Sequence, residues 1–501
     1  MTRTSQEIGA GLAAARDARP IPAGQRIHVI GAAGAGASAA ALLGQRAGAT
    51  VTGCDAGGPS PYTVALEAAG IPVAWSHGAD HVAIDGRPVV DRVAVTKALT
   101  SVDPDQPELA AARSAGLSLE SWQQLVADAA TTTGQRLVAV AGTHGKSTSA
   151  GWLVHLLVRA GRDPSAFVGA LLPAAITGGR PATARWGSGS DFVVEADEYA
   201  GNFDAFRPSV ALLLNADWDH PDVFADEDAV VDAFAAWLDG PGAADRTVIV
   251  NVGDGGARRV IERLRTAPKR LVTTALSPGR ADVIGIDHGG SMTVTGLGAA
   301  HDVTIRTTLG LAGRHNAANA LLVAVAASEL GVESQLIAEG LATFTGVGRR
   351  LELKGEPSGI AVLDDYAHHP TAIAATLEAV RATYPGRPVW AVYEPLTYHR
   401  TAAFLDVFAT VLATADHAVI ADIWAGRDPD TTISSAAALA DAVSRRSREP
   451  ATAPGSVEAT ADHLLERVRP GDVVLVMGGG RSYVIAERLV AGLAERAASG
   501  R

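Results

Sequence analysis

The amino-acid sequence predicts an α/β protein with mostly parallel sheets. Short apolar runs rich in Val, Ile and Leu recur along the chain, among them RIHVIG, RLVAVAG, DFVVEAD, PVWAVYE and DVVLVMGGG. Alanine-rich stretches with helical patterning separate them, and strands buried on both faces of a parallel sheet have this near-continuous apolar character. Two of the runs lead through a glycine loop into a helical stretch, which is the layout of open α/β sheets that bind nucleotides.

The length and two polar breaks predict three domains. A chain of 501 residues holds roughly three domains at about 150 residues each. The segments TTTGQ (131–135) and TGVGRR (345–350) are polar, contain glycine and are interpreted as linkers. We therefore expect domains at 1–132, 133–347 and 348–501.

Composition excludes several classes of function. The formal charge of −12, with no basic stripe, disfavours nucleic acid as a partner. The single cysteine excludes a disulfide framework and any cysteine-rich metal site. The N-terminal segment lacks the apolar core of a signal peptide, and no apolar run reaches the ~18 residues of a membrane span. A cytoplasmic enzyme with no membrane partner is expected.

The first glycine loop lies in the N-terminal domain. The segment HVIGAAGAGASAAALLGQRAGATVTGCD reads as a strand, a loop with Gly31, Gly34 and Gly36, a helix and a second strand that ends at Asp55. Alone, such a loop is weak evidence for a dinucleotide site, and a Rossmann-like fold that has lost its ligand is the structural alternative.

The second glycine loop, GTHGKST (142–148), begins the central domain. It follows the strand RLVAVA and precedes a helix, so its backbone N–H groups and the helix N-terminus are placed to bind phosphate. The usual phosphate loop has a glycine five residues before Gly145, but Val140 stands there. Lys146 supplies a positive charge, and the Ser147 hydroxyl is suited to Mg²⁺.

Two acidic clusters follow the next strands. Glu195, Asp197 and Glu198 come at the end of one strand, and Asn215, Asp217, Asp219 and His220 follow another. The ligand crevice of a parallel sheet lies at the carboxyl ends of its strands, where carboxylates beside a phosphate loop are expected to hold Mg²⁺. By its chemistry alone, His220 is better suited to a structural hydrogen bond.

Taken in order, these motifs resemble the Mur ligases, ATP-dependent enzymes that add amino acids to UDP-N-acetylmuramate. The shorter loop GTHGKST matches the cradle of that family, and EADE, NADWDH, GRHNAANA, GVGRRLE, DDYAHHPT and YHRT continue the match. It extends from about Ile27 to Tyr483. The resemblance implies a Rossmann-like UDP-sugar-binding domain, a central P-loop ATPase-like domain and a C-terminal Rossmann-like domain that binds the amino acid.

The resemblance also implies residue roles. Lys146, Glu195, His220 and Arg350 are expected in catalysis, and Ser147, Glu195 and His220 as magnesium ligands. ATP is expected to contact Gly142, Thr143, His144, Gly145, Lys146, Ser147, Thr148, His315, Asn316, Asn319, Arg350 and Asp365. The other substrates are expected to contact Gly31, Gly34, Gly36, Asp55, His77, Tyr366, His368 and Arg400.

The glycine loop of the first domain resembles the branch that acts on UDP-N-acetylmuramate itself, and we interpret it as the binding site of the UDP diphosphate. Within that branch, the chain departs from the ligases that add L-alanine at Tyr199, which is closer to the peptide-recycling ligases, and at Leu396-Thr397. At Thr96-Lys97 it departs from a serine pair expected near the diphosphate. The expected reaction joins the UDP-N-acetylmuramate carboxylate to L-alanine through an acyl phosphate, in peptidoglycan precursor synthesis. The expected protein is a monomer or weak dimer.

Three alternatives remain open. The first joins the same carboxylate to the tripeptide L-alanyl-γ-D-glutamyl-diaminopimelate, as in cell-wall recycling. The second is a ligase of this fold acting on folate or a poly-amino acid, against which the first glycine loop argues. The third is a nucleotide-binding protein without catalysis. The presence of Lys146, Glu195, His220 and Arg350 argues against it, because a protein that only binds nucleotide need not keep them.

Overall fold

The computed structural model describes residues 2–277, 279, 281–298, 300–426, 428 and 430–499. They form two compact units. The first comprises residues 1–218, 223–311 and 316–347, and the second comprises 219–222, 312–315 and 348–501. The two linker-based domain boundaries stay a prediction, and the first of them lies inside the first unit.

The first part of the first unit is a five-stranded parallel sheet in the order β3-β2-β1-β6-β7. Its strands and a small hairpin are β1 (Arg26–Ile30), β2 (Thr50–Cys54), β3 (Val73–Ala74), β4 (Ala83–Ile84), β5 (Arg87–Pro88), β6 (Arg92–Val95) and β7 (Leu119–Ser121). The helices are α1 (Ser5–Ile8), α2 (Ala35–Arg46), α3 (Val64–Ala68), α4 (Lys97–Thr100), α5 (Pro107–Ser114) and α6 (Trp122–Thr133), with a 3₁₀ turn at Ala79–His81.

The predicted linker at 131–135 is wrong for its first part. Thr131 to Thr133 form the last turn of α6, and Gly134 ends the helix in the left-handed conformation with φ 66°. The threonine hydroxyls bond to backbone carbonyls of the preceding turn, for example Thr132 Oγ1 to Asp128 O at 2.8 Å. The buried face of α6 stabilises the helix. Because the hydroxyls of Thr131 to Thr133 bond to carbonyls within it, this polar, β-branched run continues the helix.

The second part of the first unit is a ten-stranded sheet in the order β10-β9-β11-β8-β12-β13-β14-β15-β16-β17. The strands are β8 (Arg136–Ala141), β9 (Ser165–Leu172), β10 (Ala182–Arg185), β11 (Asp191–Ala196), β12 (Val210–Leu213), β13 (Thr247–Asn251), β14 (Arg270–Ala275), β15 (Val283–Asp287), β16 (Ser291–Leu297) and β17 (Val303–Thr308). The helices are α7 (Lys146–Arg159), α8 (Ala174–Thr177), α9 (Glu227–Leu238), α10 (Gly255–Glu262), α11 (Arg314–Glu329) and α12 (Ser334–Thr343), with 3₁₀ turns at Tyr199–Ala205 and Ala243–Asp245.

The phosphate-loop strand β8 lies inside this sheet, between β11 and β12, and pairs with both in parallel. Because β8, β11 and β12 run in the same direction, their carboxyl ends lie at the same end of the sheet. The sequence motifs that follow these three strands are therefore neighbours. On one face, α7 packs with Leu153, Leu156 and Leu157 buried, which recur at helical spacing in the sequence. Antiparallel pairing occurs at the two ends of the sheet, between β10 and β9 and among β15, β16 and β17.

The second unit contains a six-stranded sheet in the order β18-β19-β23-β20-β21-β22, parallel except at β18. The strands are β18 (Glu352–Gly355), β19 (Ala361–Asp365), β20 (Val389–Glu394), β21 (His417–Ala421), β22 (Thr452–Gly455) and β23 (Val473–Gly478). The helices are α13 (Pro370–Thr383), α14 (Tyr398–Ala403), α15 (Leu405–Leu412), α16 (Ala436–Ser444), α17 (Val457–Arg467) and α18 (Ser482–Ser499), with a 3₁₀ turn at Pro357–Gly359.

The α/β class with parallel sheets is confirmed in all three parts. Among the described residues, no helix combines the length and apolar composition that crossing a bilayer requires.

Candidate active site

The loop 142–148 connects β8 to α7, and its two glycines are required by space as well as by conformation. Gly142 and Gly145 have φ values of 141° and 82°. A Cβ on Gly142 would lie 3.1 Å from the Asn215 backbone nitrogen, and one on Gly145 would lie 2.8 Å from Asn319 Oδ1. The glycines therefore let the loop pass close to the segment after β12 and to helix α11.

Asn215 and Asp217, which follow β12, hold the loop 142–148 in place. Asn215 accepts from the His144 backbone N–H at 2.8 Å and donates its Nδ2 to the His144 carbonyl at 3.0 Å. Thr143 Oγ1 donates to the Asp217 carbonyl at 3.1 Å and accepts from the Asp217 N–H at 3.0 Å. The sequence placed Asp217 among the carboxylates expected to hold Mg²⁺. In the structure its backbone supports the loop, and its carboxylate lies 3.1 Å from His144 Nε2.

Lys146 lies at the first position of α7, where its ammonium group faces carboxylates. Its Nζ is 2.8 Å from Glu198 Oε2 and 3.4 Å from Asp197 Oδ1, and it donates to the Thr143 carbonyl at 3.1 Å. Burial opposes the charged lysine, but the Glu198 and Asp197 carboxylates raise its pKa. Burial raises the pKa of Glu198 to about 7 although Lys146 acts in the opposite direction. The sequence placed Glu198 in the acidic cluster expected to hold Mg²⁺ but gave it no role of its own, whereas in the structure it is the ion-pair partner of Lys146.

Ser147 and Glu195 form a second polar contact at the same edge of the sheet. The Ser147 hydroxyl donates to Glu195 Oε1 at 3.0 Å, and the Gly169 backbone N–H donates to Glu195 Oε2 at 2.6 Å. These oxygens are hard donors of the kind that Mg²⁺ selects. Ser147 and Thr148 are buried in the first turn of the helix.

Three residues expected to contact ATP, His315, Asn316 and Asn319, lie at the start of α11. Asn316 and Asn319 are buried on its first two turns, with Asn319 Nδ2 3.5 Å from Asn316 Oδ1. Asn319 is the residue against which Gly145 packs, so this helix and the phosphate loop are direct neighbours. His315 belongs to the second unit, where burial lowers its pKa although Glu378 opposes that shift.

The N-terminal glycine loop connects β1 to α2 and is also sterically fixed. Gly31 has φ 87°, and a Cβ there would lie 2.4 Å from the Thr96 methyl group. A Cβ on Gly36 would lie 2.2 Å from the Trp122 ring, whereas one on Gly34 would meet only the Gly31 carbonyl oxygen at 3.5 Å. Of these three glycines, Gly34 therefore faces the most open space.

Asp55 and His77, the other predicted contacts in this region, have different surroundings. Asp55 accepts from the backbone N–H groups of Ala33 at 3.0 Å and Gly57 at 2.8 Å, so it ties the glycine loop to the end of β2. His77 Nδ1 lies 3.0 Å from Glu108 Oε2. Within the first unit, His77 is therefore bound to a buried carboxylate.

In the second unit, Asp365 and Arg350 lie beside Tyr366. Asp365 ends β19 and accepts from the N–H groups of Leu351 and Ala367, both at 2.7 Å. Burial raises the pKa of Asp365, and Arg350 acts in the opposite direction. The Arg350 guanidinium stacks over the Tyr366 ring at 5.0 Å from its centroid.

The preceding arginine, Arg349, has a structural role that the sequence did not predict. It is buried with φ 58°, pairs with Asp364 at 3.2 Å and donates to the Gly478 carbonyl and to the Ser482 hydroxyl. The pattern Arg-Arg gives no sign of which arginine is structural.

Arg400 is buried on α14, and the second unit surrounds it with polar groups. Its Nε and one terminal nitrogen lie 2.8 Å from Asp219 Oδ1, and a terminal nitrogen donates to His220 Nδ1 at 3.2 Å. Burial opposes ionisation of Asp219, but Arg400 holds its pKa well below the ordinary range. Burial and Arg400 lower the pKa of His368, which keeps that imidazole neutral.

The bond to Arg400 affects the role expected for His220. A guanidinium only donates, so His220 Nδ1 is the accepting nitrogen, and a neutral ring then carries its proton on Nε2. A metal ion at Nε2 requires the other tautomer and therefore the loss of the Arg400 contact. This hydrogen bond favours the structural interpretation of His220 over metal ligation.

The structure thus brings Gly142 to Thr148, Glu195, Asn316 and Asn319 together in the first unit. In the second unit it brings together His220, His368 and Arg400 and, through the contact of the Tyr366 ring with the His368 ring, also Arg350 and Asp365.

Comparisons with known proteins assign the three parts of the chain to one family. Three family models match: the Mur ligase family catalytic domain at residues 26–133, the Mur ligase middle domain at 140–327, and the Mur ligase glutamate ligase domain at 349–480. The UDP-N-acetylmuramate–L-alanine ligase of Mycolicibacterium vanbaalenii is 36% identical over 491 residues, covering 94% of this chain and 97% of the relative. The protein of the same name from Clavibacter michiganensis is 37% identical and covers 95% of this chain and 94% of the relative.

Two solved structures are similar over nearly the whole chain. The UDP-N-acetylmuramate–alanine ligase of Thermotoga maritima has a TM-score of 0.76 at 23% identity, covering 95% of this chain and 100% of that one. A murein peptide ligase from Psychrobacter arcticus has a TM-score of 0.71 at 25% identity, covering 94% and 99%. The near-complete coverage by relatives more than 30% identical confirms the predicted family: the chain belongs to the Mur ligases.

Proposed function

We propose that this Mur ligase uses ATP to join the carboxylate of UDP-N-acetylmuramate to L-alanine. The relatives that cover 94% and 95% of the chain carry the name of this activity, which is the activity that the sequence motifs predicted. The structural observation that carries the proposal is the position of Lys146, at a helix N-terminus among carboxylates. A lysine held there can exchange its carboxylate partners for the phosphates of ATP.

The proposed reaction has two steps. The UDP-N-acetylmuramate carboxylate attacks the γ-phosphorus of ATP, forming an acyl phosphate and releasing ADP. The L-alanine amine then attacks the acyl carbon, and phosphate leaves with the C–O bond electrons while the amine loses a proton. Lys146 and the backbone N–H groups of the loop stabilise the charge that builds up on the phosphates. Neither step requires a nucleophile from the protein.

Magnesium fits the donor set of the first unit. Ser147 Oγ and Glu195 Oε1 are 3.0 Å apart, and Asp197 adds a carboxylate that is 36% exposed. When bound, Mg²⁺ would screen the phosphate charges so that the anionic acceptor can approach. Ser147 and Glu195 are proposed as ligands. His220 was also expected as a magnesium ligand. Because it accepts a hydrogen bond from Arg400, substitution of His220 distinguishes a metal ligand from a structural residue.

The amine is proposed to be L-alanine, with glycine or serine used more slowly. An α-amino acid offers a carboxylate, which arginine recognises by paired charged hydrogen bonds. Arg400 is the proposed partner. Tyr366, whose ring centroid lies 5.3 Å from that of the substrate-contact candidate His368, is proposed to close the pocket around a small side chain. The buried contact between Arg400 and Asp219 fixes the guanidinium in one orientation.

Substitution of Arg400 tests this assignment. Arg400→Lys is expected to raise the KM for L-alanine well above tenfold, because losing a paired charged hydrogen bond costs on the order of 1.5–3 kcal/mol. Asp219→Asn is the matched variant: it keeps the arginine and removes the carboxylate that orients it and balances its charge, so a smaller rise in KM is expected. Steady-state kinetics with varied L-alanine measure both. An unchanged KM in Arg400→Lys contradicts the assignment.

Release of phosphate tests the proposed reaction as a whole. The protein is incubated with ATP, Mg²⁺ and UDP-N-acetylmuramate, and phosphate is measured with each amino acid in turn and with the tripeptide L-alanyl-γ-D-glutamyl-diaminopimelate. L-Alanine is expected to give the highest rate, in a reaction proposed to occur in the cytoplasm with a monomer or weak dimer. A higher rate with the tripeptide at equal concentration identifies the recycling ligase instead. ATP binding without turnover for any amine identifies a nucleotide-binding protein.

A further inference from the structure

A cluster of nitrogen, sulfur and oxygen donors lies inside the first part of the first unit, apart from the phosphate loop. It consists of His28 on β1, Cys54 at the end of β2, His81 in the 3₁₀ turn and Glu108 at the start of α5. One donor atom from each lies within 4.8 Å of the others. Four elements distant in sequence therefore place four metal-binding side chains around one point.

Glu108 is the centre of this cluster and is fully buried. Its Oε1 lies 3.1 Å from His28 Nε2 and 2.9 Å from His81 Nδ1, and its Oε2 lies 3.2 Å from Cys54 Sγ. Among the described residues, the ion-pair partners of Glu108 are histidines, with neither a lysine nor an arginine among them. A buried carboxylate without a permanent cation is costly, and a bound cation would compensate it.

His28 gives a second, independent indication. The ring is 2% exposed, and its Nδ1 is hydrogen-bonded to the Thr52 hydroxyl at 2.8 Å. Its Nε2, although 3.1 Å from Glu108, has no partner with hydrogen-bonding geometry. A histidine whose one nitrogen is fixed by a hydrogen bond and whose other nitrogen is directed at a cluster of donors has the arrangement of a metal ligand with its outer-shell support.

We propose that His28, Cys54, His81 and Glu108 bind one divalent transition-metal ion of the zinc class. Two imidazoles, a thiolate and a carboxylate form a donor set that zinc accepts in tetrahedral geometry, whereas Mg²⁺ and Ca²⁺ prefer oxygen donors alone. Metal–ligand distances of about 2.0–2.3 Å give ligand–ligand distances of roughly 3.3–3.8 Å, so a small outward shift of the side chains suffices. The ion would fasten α5 and the 3₁₀ turn to the ends of β1 and β2, next to His77, which bonds to Glu108 at 3.0 Å.

Cobalt titration tests the site directly, because Cys54 is the only cysteine in the chain. The full-length protein is freed of metal with a chelator, returned to excess Mg²⁺ and titrated with Co²⁺. We expect a thiolate-to-cobalt charge-transfer absorption that saturates at one equivalent and disappears when Zn²⁺ is added. Only Cys54 can produce this band, so cobalt at a site made of oxygen donors does not contribute. Absence of the band at saturating Co²⁺ in the parent protein overturns the proposal.

Variants identify the other ligands. Cys54→Ser is expected to abolish the band, and His81→Asn and Glu108→Gln to weaken cobalt binding at least tenfold. The matched control is His463→Asn, whose imidazole bonds to Thr452 in the second unit. Zn²⁺ should raise the thermal unfolding midpoint of the parent and of His463→Asn but not that of Cys54→Ser. If His81→Asn and Glu108→Gln both bind cobalt like the parent, the assigned ligand set is wrong; if a variant does not fold, the parent titration still decides.

Discussion

Two glycine loops in the first unit have the same backbone plan but different surroundings. Each connects a buried parallel strand to a helix, the first through residues 31–34 and the second through 142–145. In the first, Gly31 and Gly36 make room for Thr96 and Trp122, and Asp55 already accepts from a loop N–H. In the second, the loop lies among the charged groups of Lys146, Glu195 and Glu198.

The difference shows that glycine spacing fixes the course of the backbone and leaves the chemistry to the flanking side chains. We therefore expect the first loop to bind a ligand that is left unchanged. The second has a cation and several carboxylates within hydrogen-bonding distance, which phosphoryl transfer requires. Substitutions at matched positions in the two loops test this contrast.

Lys146→Ala is expected to give the largest effect. Loss of the phosphate contact should lower the rate of amide formation by more than about 100-fold, or ~2.7 kcal/mol. The control is Lys269→Ala, which removes an exposed lysine of the same unit. Product formation and circular dichroism are compared. Activity of Lys146→Ala within tenfold of the parent means that this loop does not bind the reacting phosphates.

A charge-matched variant separates catalysis from folding in that experiment. Removing Lys146 leaves the buried Glu198 carboxylate without its partner at 2.8 Å, which itself destabilises the site. The double variant Lys146→Ala, Glu198→Gln removes both charges. It should fold as well as the parent and remain inactive. Recovery of activity in the double variant shows instead that the lysine serves mainly to neutralise Glu198.

The variants of the expected magnesium ligands Glu195 and His220 should differ from a variant of Asp55 in their dependence on magnesium. Glu195→Ala is expected to raise the Mg²⁺ concentration needed for half-maximal turnover at least tenfold, because it removes a hard oxygen donor beside Ser147. His220→Ala is expected to raise it less, since His220 already accepts from Arg400. Asp55→Ala should leave the Mg²⁺ requirement unchanged and raise the KM for UDP-N-acetylmuramate. If Glu195→Ala titrates with Mg²⁺ like the parent, Glu195 is a structural residue.

The glycines of the first loop give a smaller, steric effect. Gly36→Ala places a methyl group against the Trp122 ring, and overpacking of this kind costs about 1–3 kcal/mol of stability. Gly34→Ala is the matched variant, since its methyl group meets only the Gly31 carbonyl oxygen at 3.5 Å. It should fold like the parent but bind the UDP substrate more weakly. Urea unfolding and the KM for UDP-N-acetylmuramate measure the two effects, and equal stability of both variants contradicts the packing argument.

The sequence predicted what depends on local pattern. The strands that lead into both loops and the helix after Lys146 follow from continuous apolar runs and from the spacing of Leu153, Leu156 and Leu157. The helical end of α6 was missed because Thr131 to Thr133 read as a polar linker, although their hydroxyls bond within the helix.

Side-chain partners were the least predictable part of the site. The structural role of Arg349 and the pairing of Arg400 with Asp219 depend on contacts distant in sequence, which no spacing encodes. The same holds for the cluster around Glu108, whose members come from four separate elements. The roles of the predicted site residues themselves stay predictions that the substitutions above test.

The smallest expected effect compares the lysines near the two loops, and it depends on pH. The carboxylates around Lys146 raise its pKa, whereas burial lowers the pKa of Lys97 to about 8, with Asp204 and Asp197 acting in the opposite direction. Lys97 donates to the Ala200 carbonyl at 2.7 Å. Between about pH 8 and the ordinary lysine value of 10.5, the folded protein therefore binds fewer protons than the unfolded chain at this side chain. The free energy of unfolding of the protein should therefore rise with pH between about pH 8 and 10.5.

Lys97→Met removes this contribution and keeps a long apolar side chain. The difference in unfolding free energy between parent and variant should shift in favour of the parent by about 1 kcal/mol as pH rises through the window, a value reduced because the side chain is only partly shielded from water. Other titrating groups are common to both proteins and cancel in the difference. Urea unfolding at the two ends of the window measures it. Parallel pH profiles would mean that Lys97 titrates like a lysine in water, and the electrostatic contrast between the two loops would then rest on Lys146 alone.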